Sequence, residues 1–211
     1  LNYYKKMIGL IVIAAPSGAG KTSLIAALLK EFLNTNIKLS ISFTTRKKRK
    51  DEIEGNSYFF ISKKEFLLMK EKKEFLEEAL VFGNLYGTGR KWVEKQIESD
   101  VQVILELDCQ GAAQVKSVYP DSISIFIIPP SMKQLKKRLN KRSQDSQKII
   151  EKRLSMARQE IAKGKDFDFL VLNDDFQNAL NDLKQIITKK KYINNKRNQN
   201  AKKTLLDLLN K

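Results

Sequence analysis

The sequence predicts an α/β fold built on a parallel sheet flanked by helices, and three observations carry that prediction. Four apolar runs, at 8–14, 101–107, 122–128 and 169–172, are nearly continuous rather than alternating, as strands buried on both faces are. Apolar residues at helical spacing fill the stretches between them. The first run leads without interruption into a glycine-bearing loop and then a helical pattern, a strand–loop–helix succession.

The elements follow in order. Residues 8–14 read as the first strand and 15–22 as the loop. The pattern at 23–32 gives a helix with Leu24, Ile25, Leu28, Leu29 and Phe32 on one face. A single short strand is expected at 39–43, and a strand-like piece at Ser57-Tyr58-Phe59-Phe60-Ile61. The stretch 82–90 is rich in aromatic residues and glycine. Beyond the strand at 101–107 and the one at 122–128, Leu135 and Leu139 open a helix, and Ile150, Leu154, Ala157 and Ile161 mark another. After the strand at 169–172, Phe176, Ala179, Leu180, Leu183, Ile186 and Ile187 form the face of a further helix. The polar, basic stretch 189–203 reads as a frayed end or short linker before an apolar cluster of Leu205, Leu206, Leu208 and Leu209. The whole is expected as one domain over 1–211: a core of about 1–38, 91–135 and 161–190, an insertion at about 39–90, a lid at about 136–160 and a basic tail at about 189–211.

Composition narrows the class. A chain of 211 residues suits one domain with a sizeable core. Its single cysteine, Cys109, excludes an internal disulfide framework and fits a reducing compartment. No apolar run approaches the ~20 residues of a membrane span. Lys5-Lys6 ahead of an apolar run looks like the start of a signal peptide, but the run leads straight into the loop, so it is read as a core strand and the protein as cytoplasmic. There is no histidine, which excludes imidazole catalysis. The formal net charge of +16 raises the question of nucleic acid. The basic residues are spread along the chain without an aromatic-rich basic block, so a solvated basic surface is favoured.

The loop reads Ala15-Pro16-Ser17-Gly18-Ala19-Gly20-Lys21-Thr22. In that setting backbone N–H groups and the positive end of a helix converge on one spot and attract a polyphosphate. Lys21 would add a charge near the β- and γ-phosphates and Thr22 a hydroxyl for Mg²⁺, so the loop predicts a nucleoside triphosphate site. Ala15 stands where the full pattern has its first glycine, which fits if the backbone there does not need positive φ.

A second constellation is Ser42-Phe43-Thr44-Thr45-Arg46-Lys47-Lys48-Arg49. Arg46 and Arg49 with hydroxyls upstream can grip a phosphate, and Tyr58 and Tyr86 can add phenolic donors; a solvated basic loop is the plain alternative for this stretch alone. Glu106 and Asp108 share one side at the carboxyl end of a strand, where α/β sheets place ligands, and either can serve a metal.

Taken together, these motifs resemble bacterial guanylate kinases. Ala15–Thr22, Thr44-Thr45-Arg46 with Arg49, Phe82-Gly83-Asn84-Leu85-Tyr86-Gly87-Thr88, Leu105-Glu106-Leu107-Asp108 with Gln110-Gly111, and Asn173-Asp174-Asp175 occur in the family's order and spacing, from about 8 to 187. The resemblance implies a P-loop NTPase fold with an inserted GMP-binding sub-domain and a mobile lid, and transfer of the ATP γ-phosphoryl group to GMP, giving ADP and GDP. It implies ATP binding by Ala15, Pro16, Ser17, Gly18, Ala19, Gly20, Lys21, Thr22 and Asn173, the last through adenine. It implies a GMP site of Ser42, Arg46, Arg49, Tyr58, Glu77, Tyr86, Thr88 and Asp108. Guanine presents N1–H and an exocyclic amine side by side, which suits a carboxylate at 77; adenine would leave that carboxylate unpaired. Lys21 with the lid arginines Arg138, Arg142 and Arg153 would place positive charge around the moving phosphoryl group. Mg²⁺ is the implied cofactor, held by Thr22 and by Glu106, directly or through water. ATP and GMP are the implied partners, with no membrane; oligomeric state is left open, a homo-oligomer included.

Overall fold

The computed structural model describes residues 9–33, 35–141, 147–189 and 195–210. The contacts divide the chain into two compact units, one holding 9–12 and 35–122, the other 13–33 and 123–210 of the described residues. Strand β1 (Leu10–Ala14), buried along its whole length, straddles that division.

In the first unit, β2 (Ile37–Leu39) runs parallel to β7 (Gln102–Leu107), which is followed in the sheet order by β1. Val103, Ile104 and Leu105 have no exposed surface, as expected for a continuous apolar strand in a parallel sheet. A separate four-stranded sheet has the order β4-β3-β6-β5, from β3 (Phe43–Thr44), β4 (Phe59–Phe60), β5 (Phe75–Val81) and β6 (Asn84–Gly89). β5 and β6 form a hairpin whose two turn residues, Phe82 and Gly83, have φ of 50° and 80°. Positive φ at both positions matches the right-handed twist of the flanking strands. Helix α2 (Lys63–Glu71) starts with a capping box between Ser62 and Glu65, and its Phe66 stacks on Phe75 with centroids 4.4 Å apart. Helices α3 (Arg90–Glu98) and α4 (Cys109–Val118) flank β7.

The single strand expected at 39–43 is two strands in two sheets. Ser40 N–H closes the β2 ladder on Ile104 O at 2.9 Å; two residues on, Ser42 O accepts from Phe59 N–H at 2.9 Å and the chain has entered the second sheet. Both pieces are too short for hydrophobic alternation to separate them.

In the second unit the order is β1-β8-β9, with β8 (Ile123–Ile128) and β9 (Phe169–Leu172) paired in parallel from Ile125↔Phe169 to Ile128↔Leu172. Helix α1 (Lys21–Glu31) packs against α7 (Phe176–Lys189), and Lys184 pairs with Glu31. Helices α5 (Met132–Lys141) and α6 (Gln147–Lys163) share an apolar cluster of Leu135, Leu139, Ile150 and Ala157. The polar linker expected up to 203 is instead, from residue 195 on, part of helix α8 (Asn195–Leu209). Ala201, Leu205 and Leu208 are buried at i, i+4 and i+7, so this helix docks through one narrow apolar stripe inside an otherwise basic sequence. No helix among the described residues is long and apolar enough to cross a membrane.

Candidate active site

The four-stranded sheet of the first unit sorts its residues by face. Phe43 pairs with Gly87 and with Phe59, and Phe75 lies edge-on to Phe43 with centroids 5.8 Å apart. These rings fill the face that meets α2, and Gly87 has no side chain because the Phe75 ring occupies that space. Period-two alternation then puts Ser42, Thr44, Tyr86 and Thr88 on the other face. A register shift between Phe75 and Glu77 inserts one extra residue into β5, so that Phe75, Leu76 and Glu77 are all buried. The bulge lets Glu77 stand opposite Thr88 on the polar face while Phe75 stays in the aromatic layer.

Glu77 is 4% exposed. Its Oε1 accepts a 2.6 Å hydrogen bond from the Thr88 hydroxyl, which lies 3.5 Å from the Ser42 hydroxyl. Burial pushes the Glu77 carboxyl up to about 7; the Thr88 bond opposes this, and the charge of Asp108 adds to it. Asp108 caps α4, accepting from Gln110 and Gly111 N–H at 3.0 and 2.9 Å. Gly111 is buried against Glu77, and a Cβ there would overlap the carboxylate. The sequence displayed this glycine beside Asp108, but its role appears only once Glu77 is placed.

The residues expected to grip a phosphate meet on the same sheet. Arg46 Nε donates to the Tyr86 phenol at 3.2 Å, and its guanidinium lies 5.6 Å from the Tyr58 ring centroid. Thr44 Oγ1 accepts from Arg46 N–H at 3.2 Å and fixes the backbone beneath it. Glu52, not singled out by sequence, receives both Arg46 terminal nitrogens, at 2.6 and 3.0 Å, and Arg49 N–H at 2.8 Å. The available signal was its spacing, three residues beyond Arg49 as Arg49 is beyond Arg46. Burial disfavours the Arg46 charge, but the hydrogen bonds it donates to Glu52 and Tyr86 outweigh it and raise its pKa; Glu52 is correspondingly lowered against its own burial. Burial, then the Glu106 charge, pushes the Tyr58 phenol up to about 12, so it remains a donor. Glu106 is half-buried at the end of β7. A cavity of about 850 Å³ opens on the aromatic side, lined by Phe43, Phe59, Met69 and Trp92 among others, and includes none of these site residues.

The second unit holds the loop. Gly18 and Gly20 have φ of 90° and 96°, a region that disfavours side chains, whereas Ala15 is absent from the residues with positive φ, so alanine is accommodated there. A Cβ on Gly20 would run into the Asn173 amide. Gly20 is the residue before α1, whose first turn carries no acidic residue, leaving its positive end to an anion. Lys21 is half-buried and Thr22 exposed at that end. Asn173, 4% exposed, donates its side-chain N–H to Ala19 O at 2.6 Å rather than to solvent. Arg138 on α5 donates to Ala19 O at 3.2 Å and to Asn173 O at 2.9 Å, gripping the loop from outside. Arg153 is half-buried on α6; Arg142 lies outside the described residues.

No group of three or more His, Cys, Asp or Glu positioned to hold a metal occurs among the described residues. Of the two residues expected to serve a metal, Thr22 in the second unit offers an exposed hydroxyl and Glu106 in the first a half-buried carboxylate. Oxygen donors of this kind suit a hard cation such as Mg²⁺, which keeps waters and takes most of its other ligands from substrate phosphates.

The family model described as guanylate kinase matches residues 7–190. A guanylate kinase of Nitrosomonas europaea is 51% identical over 178 residues, covering 84% of this chain and 88% of that protein. One from Coxiella burnetii is 45% identical over 202 residues, covering 96% and 97%. The crystal structure of the Anaplasma phagocytophilum guanylate kinase superposes with a TM-score of 0.72 at 31% identity, covering 94% of each chain. A match over nearly the whole described α/β fold, at identities of about half, leaves one family: this chain belongs to the guanylate kinases.

Proposed function

We infer that this protein is an ATP:GMP phosphotransferase whose acceptor is read by the polar face of the four-stranded sheet and whose donor is held by the loop ahead of α1. The observation that carries the reading is the buried Glu77 carboxyl, bonded to Thr88 and standing on the same face as Ser42, Tyr86 and the Arg46 fork. In this reading the carboxylate accepts from guanine N1–H and the exocyclic amine, while the Ser42 and Thr88 hydroxyls meet the neighbouring ring atoms. Arg46, Arg49, Tyr58 and Tyr86 hold the GMP phosphate. Glu52 keeps Arg46 splayed and charged before substrate arrives, and Asp108 lies on the ribose and base side.

At the donor, free backbone N–H groups of the loop cradle the phosphates, Lys21 neutralises the β- and γ-oxygens, and Asn173 holds the loop through Ala19 O. Thr22 would hold Mg²⁺, with Glu106 assisting through water; the ion would neutralise phosphate oxygens. Phosphoryl transfer asks for in-line placement and positive charge rather than covalent help. Arg138, Arg142 and Arg153 supply that charge from the lid at 136–160. Arg138 already braces the loop through Ala19 O and Asn173 O, and these two bonds leave further guanidinium N–H groups for a phosphate. The reading places the enzyme in the cytoplasm, in keeping with its lone free cysteine.

The test is an acceptor series. With Mg²⁺ and ATP, GMP is consumed far faster than AMP, CMP or UMP; equal rates across the four would reject the assignment of the acceptor.

A further inference from the structure

Helix α8 lies beyond the residues matched by the family model, yet one of its side chains reaches the segment that holds the phosphate loop. Arg197 donates from Nε to Asp182 at 2.6 Å, from Nη2 to Leu172 O at 2.9 Å, and from Nη2 and Nη1 to the two Asp174 oxygens at 3.0 and 3.3 Å. Leu172 and Asp174 are the residues on either side of Asn173. Asn173 itself is tied by its N–H to Ile128 O at 2.9 Å and by its amide to Ala19 O at 2.6 Å. The guanidinium thus grips both neighbours of Asn173, a side chain that holds the loop at Ala19 O.

We propose that α8 is a working part of the donor half-site and that Arg197 is a positioning residue for the phosphate loop. The chain of contacts runs from Arg197 through Leu172 O and Asp174 to Asn173, and from its amide to Ala19 O. Gly20, the residue before α1, lies so close to the Asn173 amide that a Cβ there would overlap it. A small rotation of Asn173 therefore moves Ala19 O and the N–H groups aimed at the phosphates. A guanidinium suits this position because it serves acceptors in three directions from a rigid plane, which an ammonium on a flexible stem does not. Asp182 is 2% exposed and the Arg197 side chain 16%, so the Asp182 arm of the fork is held away from competing water, while Asp174 is 40% exposed. The apolar stripe of Ala201, Leu205 and Leu208 anchors the helix that delivers it.

This proposal rests on the reading of residues 15–22 as the ATP site, and the experiment separates the two. Arg197→Lys keeps a charge for Asp182 but loses the fork. The double variant Asp182→Asn with Arg197→Gln removes both charges, so that no buried carboxylate is left unpaired. Both are assayed as full-length protein for the Michaelis constants of ATP and GMP, with a non-hydrolysable ATP analogue titrated by calorimetry. The expected result is a rise of about tenfold in the ATP constant and a matching loss of analogue affinity, with the GMP constant within about twofold of the parent. Unchanged ATP constants in either folded variant, or ATP and GMP constants rising by the same factor, would overturn the proposal. Lys21→Ala is run alongside: if it binds and turns over ATP normally, the phosphate-loop reading itself fails, whereas a crippled Lys21→Ala beside normal Arg197 variants removes only the role of α8.

Discussion

In the proposed reading, the acceptor face of the first unit and the phosphate loop of the second recognise their ligands by opposite means. The face uses side chains: a carboxyl, two arginines, two phenols and two hydroxyls set by strand alternation and one bulge. The loop uses its backbone: N–H groups aimed by two glycines at positive φ, with side chains serving mainly to hold the carbonyl of Ala19. A face built of side chains can discriminate between bases, since a lost partner leaves a buried group unsatisfied. A loop built of amides grips any polyphosphate. The contrast also separates their energetics. Glu77 is held where burial opposes its charge, as functional sites often require.

That contrast can be broken from either side. The largest effect is expected at the one loop side chain given a charge role. Lys21→Ala should lower kcat by about 10²–10³ with an unchanged circular dichroism spectrum, by analogy with removal of a transition-state charge partner. Near-parental turnover would remove the residue from the donor site. Next comes Gly111→Ala, which forces the Glu77 carboxylate out of position without touching the loop. Its GMP Michaelis constant should rise by about 10- to 100-fold, with the ATP constant unmoved; an ATP effect of the same size would mean the two half-sites are not separable.

A smaller effect follows from pH. Guanine needs the ionised carboxylate, and the free carboxyl titrates at about 7. GMP affinity should therefore fall several-fold from pH 8 to pH 6 in the parent. GMP's own phosphate also titrates in this range, so the diagnostic is the difference from Glu77→Gln, whose profile should lack the carboxyl step. The smallest effect is on stability. A carboxyl whose folded pKa lies above its unfolded one favours the fold fully at low pH, and that contribution is lost as pH rises through about 7. At pH 8 the ligand-free Glu77→Gln variant should melt higher than the parent, by roughly 5 °C, and the gain should shrink toward pH 5. A lower melting point at pH 8 would show that Glu77 is a structural carboxylate.

Strands β1, β7, β8 and β9 were legible because burial on both faces writes an unbroken apolar run, and β9 at Phe169–Leu172 was located to the residue, whereas the short, half-exposed β2 was not. The loop was legible because glycine and lysine in that order have few other uses between a strand and a helix. What stayed hidden was whatever depends on neighbours distant in sequence. The bulge that turns Glu77 inward leaves no mark on Phe75-Leu76-Glu77 itself. Glu52 looks like one more acid in a charged loop until Arg46 is seen reaching for it. Helix α8 is masked by lysines and asparagines whose polar faces outnumber its three-residue stripe, and Gly111 has no visible task without the carboxylate above it.

The central claim is that Glu77 selects the acceptor. It is tested most directly by the ratio of kcat/KM for GMP to that for AMP, measured at pH 8 in the parent and in Glu77→Gln. The account predicts that the ratio falls by about 10² or more in the variant, since a site built for paired donors loses its means of rejecting the wrong base, while the ATP Michaelis constant stays put. An unchanged ratio would contradict it.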